Sequence, residues 1–513
     1  METIGLNITL LSLKTWIAIA VVAFALARFV LWPSGDPKEP FYVPARLPLL
    51  GHAINIYNKG SRYFVEIGKK YKLPIYSLPV PGGRVYVVNT PELLTSVDRN
   101  PKAIAFGPIA AMVIERLSGS KGRAASALRE DVTGPNSANG YMNAVLKQIH
   151  HTLAPGPLLE KVTDAVITDL NDSIGGLQHK ETTIHLLEWF RHNFSMSSTN
   201  AIYGPKNPFK DPKVENGFWE FDYAVSNLLI TPKASWTTPQ GDKGRSDAWN
   251  GFIDYFRQGG HNEGSEMAKQ RYEVAIAKGI PIDDIGRLEV TMIIGVLTNT
   301  VPAGFWMTYY IWSTPGLLDE LRGELDKIII RETQPDGRPK LTLRSADIKQ
   351  DCPLLYATMQ ETLRMRTCGI SSRIVTEDIV LNDQYLVKKD SVMELPNNII
   401  HSAEDLWGPT VCQFNNKRFI KGHPDYRVPK NGFRPFGGGV SLCAGRHQAT
   451  SQLLSALGFL VAAFDISPTK GAWDFPGAHG HTIAAAMDSP DHDVQVKLQP
   501  RQGYEDAVWT LKP

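Results

Sequence analysis

Cysteine is scarce and scattered. The 513 residues hold four: Cys352, Cys368, Cys412 and Cys443. No two have a CxxC or other zinc spacing. Four dispersed thiols in so long a chain make no disulfide framework, which leaves a reduced, cytosolic setting. Net charge is nearly absent as well, +2 at pH 7, so nothing global favours nucleic acid and any basic surface is local. Internal repeats, low-complexity tracts and a Gly-Lys-Ser/Thr phosphate loop are missing too. Length alone suggests two to four domains, but large α-rich enzymes keep one core at this size. The apolar fraction, 43%, and the charged fraction, 21%, suit a globular protein with a large interior.

What is present begins with one long apolar run. It extends from Ile8 to Trp32 and is unbroken from Trp16 to Ala27. About 20 apolar residues span a bilayer. The acidic start METIG and the bulky exit RFVLWPSGDP do not suit a cleaved signal peptide. Residues 1–32 are therefore expected to be a retained transmembrane anchor. Arg28, Lys38 and Arg46 follow, which leaves the main body in the cytosol. Pro33, Pro37, Pro40, Pro44 and Pro48 make residues 33–50 a stiff hinge. Residues 51–513 then form one large domain.

Within that domain PIYSLPV and GRVYVVNTP read as two strands joined by a Pro-Gly-Gly turn. Most of the chain from Pro91 to Thr314 reads helical, with loops near 117–140 and 204–216. DDIGRLEVTMIIGVLTNTVPAGFWMTYYIW is apolar on all sides, as a central buried helix should be, and Pro302 should kink it. Helix is expected through PGLLDELRGELDKIII and CPLLYATMQETLRMR. Short strands follow at RIVTEDIVL and SVMELP, and HQATSQLLSALGFLVAAF is a second buried helix. The fold class is mainly α with small β-sheets.

One cysteine stands apart. In FRPFGGGVSLCAGRHQAT, Phe433 to Thr450, three glycines precede Cys443, another follows it, and a helix begins. Gly437, Gly438 and Gly439 permit backbone angles and close approaches that side chains forbid. A thiolate before a helix is stabilised by the positive helix end. Such a sulfur suits haem iron, to which it donates electron density that favours O–O cleavage. Phe436 would shield it from water. The plainer alternative is a buried, inert thiol.

Two further segments join this loop, and with them the chain resembles a cytochrome P450, a haem-thiolate monooxygenase, from the anchor to about residue 500. Phe436, Gly437, Gly439, Cys443 and Gly445 match the family's cysteine loop. Glu361 and Arg364, in ETLR, match its Glu-x-x-Arg helix pair and lie three apart, so they can pair. Arg418 and Phe419, in FNNKRF, match the end of its Pro-Glu-Arg-Phe motif, and HSAEDLWGP from His401 resembles the stretch before it. LPLLGHA resembles the hinge after the anchor. The resemblance implies the P450 fold, haem b with Cys443 as axial ligand, and a buried Glu361–Arg364–Arg418 network that fixes the cysteine loop. It also implies that Arg373, in SSRIV, pairs with a haem propionate, a carboxylate that suits a guanidinium fork. Three departures stand out. Ser441 replaces the usual Arg or His two residues before the cysteine. The early Trp-x-x-x-Arg is absent, with Lys147, His150 and His151 as the nearest substitutes. Asn416 and Lys417 replace Pro-Glu.

In the central helix Thr300 takes the family's alcohol position, Asn299 that of its acid and Leu297 that of its glycine. Asn-Thr followed by Pro and Phe-Trp resembles the oxysterol hydroxylase and prostacyclin synthase branch, and the whole chain resembles fungal biosynthetic members. The resemblance implies a monooxygenase that inserts one oxygen atom from O2 into a terpenoid, steroid or polyketide type of lipophile. Thr300 would relay protons, and Asn299, which is no acid, would position water. Ile293, Val296, Leu297, Gly369, Ile370 and Ser371 are expected to line the pocket by family position. Electrons would come from NADPH through a separate flavin enzyme, NADPH–cytochrome P450 reductase. That enzyme would be steered to a basic stretch made of Lys417, Arg418, Lys421, Arg427, Lys430 and Arg434, set against only Asp425. The location implied is the endoplasmic reticulum membrane, single-pass, with a cytosolic catalytic domain. Two other readings stay open: an electron-independent isomerase or dehydratase of peroxides on the same fold, and a haem sensor or carrier.

Overall fold

The computed structural model describes residues 36–47, 50–133, 136–231, 233–478 and 485–513. The expected anchor lies outside these, as do residues 33–35 and 48–49 of the expected hinge. The helices that build the site are α1 (Pro157–Gly175), α2 (Leu186–Tyr203), α3 (Pro212–Ile230), α4 (Pro239–Arg257), α5 (Ile282–Leu297), α6 (Thr300–Ser313), α7 (Pro353–Arg366) and α8 (Arg446–Ala463).

The longest apolar run folds as α5 and α6, separated at Thr298 and Asn299. Pro302 has no N–H to give to the Thr298 carbonyl, so the ladder opens one turn before the proline. Each side of this break belongs to a different apolar core. Ile293 and Leu297 of α5 pack with Tyr203, Phe218, Phe221 and Phe252 from α2, α3 and α4. Val301, Phe305 and Trp306 of α6 pack with Ile167, Phe190, Leu355 and Leu457 from α1, α2, α7 and α8. By length and composition the 32-residue run would pass for a membrane span, but 61% of its apolar window is buried in the protein. It is a core element, as its all-round apolar pattern requires.

A five-stranded sheet flanks the bundle. Its strands are β1 (Ile75–Val80), β2 (Gly83–Val88), β3 (Ile104–Ala105), β4 (Ile370–Val375) and β5 (Val392–Pro396). β1 and β2 form the expected antiparallel hairpin, with Ile75 opposite Val88 and Gly82 at φ +82° in the turn. β5 runs parallel to β2 and antiparallel to β4, which places Met393 opposite Arg373.

Two expectations are corrected. The helix expected through DKIII stops at Leu325. The β-branched run after it enters a strand, Ile330–Thr333, paired with Pro339–Arg344, where branched side chains fit the pleat. The segment expected to be loop near 117–140 contains a helix, Gly122–Arg129, which buries Ala124, Ala127 and Leu128 on one face.

Helices α3 and α4 meet through glycine. A Cβ on Gly244 would stand 2.5 Å from the Gly217 carbonyl oxygen, and one on Gly241 would stand 2.1 Å from the Ala224 Cβ. The backbones themselves are therefore in contact. Gly244→Ala should cost about 1–3 kcal/mol through overpacking. Gly323→Ala, where a Cβ meets no atom within 4 Å, should be neutral or stabilise by up to about 1 kcal/mol. Thermal melts of the two variants check this, and equal effects would contradict the close crossing.

Candidate active site

The Cys443 loop uses its glycines for separate reasons. Gly437 and Gly439 have φ of +76° and +57°, the left-handed region that favours glycine. A Cβ on Gly439 would also stand 2.5 Å from Oδ1 of Asp98, and one on Gly438 would strike the Arg434 guanidinium. The Cys443 N–H closes the loop on the Phe436 carbonyl at 2.9 Å. The sulfur takes hydrogen bonds from the backbone N–H groups of Gly445 and Arg446. Burial pushes the thiol pKa up, while these bonds and the Arg446 charge pull it down. Cys443 nonetheless exposes surface, unlike the wholly buried Cys352 and Cys368. Its loop lies on the seam between the two cores: Phe436 packs against one and Ala444 against the other.

A fully buried carboxylate holds the approach to this loop. Glu361 on α7 accepts from Arg364 Nε at 2.7 Å and Nη2 at 2.8 Å, from Arg418 Nε at 3.4 Å and from the Asn415 N–H at 3.0 Å. Two guanidiniums thus face one carboxylate. Carbonyl oxygens meet the excess: His401 and Val411 accept from Arg364, and Trp407 and Thr410 accept from Arg418. Phe419 packs at a tilt against Phe433, the first residue of the loop, with centroids 4.8 Å apart. Asn416, in place of the usual proline, donates to Thr358 Oγ1 of α7 at 2.9 Å and so ties the motif to the same helix.

His401 links this network to the loop, a role sequence reasoning did not assign. Its carbonyl serves Arg364, and its ring Nε2 accepts the Arg434 N–H at 3.0 Å. Burial, and then the Arg364 charge, push its pKa down to about 3.

Arg373 is 2% exposed. It donates to the Ser372 carbonyl at 2.9 Å and to Ser441 Oγ, and its guanidinium carbon lies 5.0 Å from the Phe106 ring centroid. Among the described residues no carboxylate lies within ion-pair distance of it. Burial pushes its pKa down to about 10, against the more distant charges of Asp98 and Glu394. The serine that stands where a cation was expected is therefore a hydrogen-bond partner of Arg373, itself anchored to the Gly438 carbonyl at 3.0 Å. A buried cation without a carboxylate is costly and fits a bound anion, as the N–H cradle at Cys443 fits a thiolate on iron. The residues present suit haem. Lys147, His150 and His151 are exposed.

A sequence model of cytochrome P450 matches residues 251–485, which include the helix break and the cysteine loop. The chain is 31% identical to the cytochrome P450 monooxygenase nodJ of Hypoxylon pulicicidum over 507 residues, 97% of each chain. The chain belongs to the cytochrome P450 family. The family implies haem with a cysteine thiolate ligand. This P450 is also 22% identical to prostacyclin synthase of Bos taurus over 91% of its length and 95% of the relative's. It is 25% identical to 7-alpha-hydroxycholest-4-en-3-one 12-alpha-hydroxylase of Homo sapiens over 43% of its length and 46% of the relative's.

Of the three residues of the central helix expected at the pocket, this P450 buries two and leaves Val296 partly open. Ile293 and Leu297 are completely buried in the α3–α4–α5 core, so they do not line an open cavity. Val296 is half-buried and Gly295 exposed, and a Cβ on Gly295 would meet nothing within 4 Å. Gly295 lies one turn before Asn299, and helical spacing from that residue would have found it. Gly369 packs tightly instead, its Cβ position 2.8 Å from the Ala486 Cα. Ser371 reaches Ser441 at 3.5 Å, and Ile370, the first residue of β4, packs against the small core around Phe64 and Tyr76.

Thr300 donates to the Val296 carbonyl at 3.0 Å and the Leu297 carbonyl at 3.3 Å, bonding back to its own helix. Asn299 Oδ1 accepts the N–H groups of Ala486 and Met487 at 2.8 and 3.1 Å, so the side-chain oxygen clasps the 485–487 segment. The basic stretch is also divided. Lys417 pairs with Glu320, Arg418 with Glu361 and Arg434 with Asp98, while Arg427 donates to the carbonyls of Leu406 and Asp405. Lys421 and Lys430 are exposed.

The fold holds His401 neutral, with a pKa of about 3 against 6.5 unfolded. The unfolded chain therefore binds the proton first as pH falls. Stability from neutral His401 is whole above about pH 6.5 and declines toward pH 3. The advantage of wild type over His401→Gln in denaturant titrations should shrink as pH falls through this window. A pH-independent difference would contradict the assignment.

Proposed function

We propose that this P450 is a monooxygenase that inserts one oxygen atom from O2 into a lipophilic molecule of terpenoid, steroid or polyketide type. Electrons come from NADPH through a separate flavin reductase. The observation that carries this reading is a pair of features: the Cys443 thiol cradled by two N–H groups and the buried Arg373, which has no carboxylate within ion-pair distance among the described residues. In this reading Cys443 holds the iron of haem b and Arg373 a propionate, with Ser441 orienting the guanidinium. When bound, haem supplies the redox chemistry that activates O2.

The chain's own groups do the rest. Thr300 keeps its proton on the Val296 carbonyl. Rotation about its C–O bond turns that proton to the oxygen site, and its lone pairs accept the next one. Asn299 spends its oxygen on Ala486 and Met487, so it offers the site an N–H donor and fixes one wall. The Gly295–Val296 face leaves room for an apolar substrate. Exposed Leu50, Ile54, Tyr57, Ile230 and Trp236 support association with a membrane, as does the apolar N-terminal run, and the endoplasmic reticulum is the location proposed. Lys421 and Lys430, free of the pairings that occupy the other cations of their stretch, form the patch that steers an acidic flavin domain.

Reduced protein under CO should give the thiolate-type band, and Cys443→Ala should abolish it. Turnover should require NADPH, reductase and O2. A wild type that instead rearranges a lipid peroxide without NADPH would establish the isomerase reading. Thr300→Val keeps shape and removes the hydroxyl. Product per NADPH should fall by roughly tenfold while hydrogen peroxide rises, and unchanged coupling would refute the relay.

A further inference from the structure

The helix acid is missing at Asn299, yet a carboxyl stands one residue away in space. Asp222 on α3 accepts a hydrogen bond from Thr298 Oγ1 at 2.7 Å, at the break between α5 and α6. Both residues line a cavity of about 60 Å³ that also touches Arg191, Trp219, Pro302 and Met487. A water molecule takes about 30 Å³ of liquid, so the space suits about two. Its walls are polar enough to hold them. Trp219 Nε1–H has no acceptor among the described residues, and the Asp222 carboxyl and the Thr298 hydroxyl face the same space.

Two of its lining residues differ in their access to solvent. The Arg191 side chain is 30% exposed and pairs with Glu188 at 2.8 Å. Met487 is buried, and its N–H binds Asn299 Oδ1. Asp222 keeps some accessible surface, yet loss of water pushes its pKa up to about 6, against the Thr298 hydrogen bond and the Arg191 charge. Asp222 lines the cavity, so water held there is next to it. Arg191, from α2, is the charged group whose field reaches it. Asp488, which follows Met487, is engaged with Cys368.

We propose that Asp222 is the proton-supplying carboxyl of this site, standing on α3 in place of the acid that Asn299 replaces on the central helix. This rests on the monooxygenase reading. In each delivery the Asp222 O–H bond breaks and the proton passes to cavity water. A proton of that water moves on past the break toward Thr300. Solvent entering beside Arg191 reprotonates the carboxylate, so no charge accumulates and no oxidant or reductant is consumed. Asp222 acts through water and Thr298, and is a positioning and proton-supplying residue rather than one that touches substrate.

Asp222→Asn separates this role from a structural one. The amide keeps its size and an oxygen for Thr298, but has no proton to give at this pH. The full-length holoenzyme with reductase and NADPH, and no added substrate, is followed by O2 consumption in H2O and D2O. Asp222→Asn should slow it by roughly tenfold and enlarge the solvent isotope effect, with haem content unchanged by the CO spectrum. Asp222→Glu should regain most of the rate. Independently of turnover, the wild-type minus Asp222→Asn infrared spectrum should show a carboxyl band that titrates near pH 6. Thr298→Val, which keeps the carboxyl and cuts its link, should retain the band and slow O2 consumption, and it serves also if Asp222→Asn fails to fold. A wild-type rate and isotope effect in either variant, or no titrating band, overturns the proposal alone. A wild type without NADPH-dependent O2 consumption overturns the monooxygenase reading and this proposal with it.

Discussion

The site depends on how one buried carboxylate is shared. Glu361 lies between Arg364 and Arg418, and neither cation could stay buried without it. Such a cluster adds little net stability, because desolvation offsets much of the attraction. Its effect is geometric. Each guanidinium has donors left over, and these take the carbonyls of His401, Trp407, Thr410 and Val411. Two short helices, Asn397–His401 and Glu404–Trp407, and the turn after them are thereby pinned at four carbonyls. From there His401 passes the constraint to Arg434, and so to the glycines before Cys443.

The opposite wall is organised by an omission. Pro302 lacks an N–H, and the central helix opens at Thr298 and Asn299. Both side chains freed by the break are then used by neighbours. Thr298 binds Asp222 of α3, and Asn299 binds the 485–487 backbone. One local defect thus fastens three elements at the point where chemistry is expected.

Much of this was legible in the sequence, for reasons that differ by residue. Three consecutive glycines before Cys443 are a backbone signal, and two of them do adopt positive φ. All-round apolarity marked the central helix as buried, and Pro302 marked its bend. Charge and spacing were less informative. Ile293 and Leu297 were expected at the pocket from family position, but they face the α3–α4 side, which an alignment on Thr300 alone cannot reveal. The basic stretch looked continuous because sequence does not show that Glu320, Glu361 and Asp98 neutralise three of its members. Asp222 and His401 were invisible for the same reason. Their significance comes from partners 76 and 33 residues away, brought together only by folding.

The break also sets how the molecule comes apart. A continuous helix would tie its two ends into one cooperative unit. Here the α3–α4–α5 core and the α6–α7–α8 core are joined through a two-residue turn and through α2 and Trp219, which pack into both. Proteins open in such contiguous units, each with its own free energy. Amide exchange should therefore report two populations along what the sequence writes as one helix. The amides of α5 should then exchange apart from those of α8, next to the cysteine.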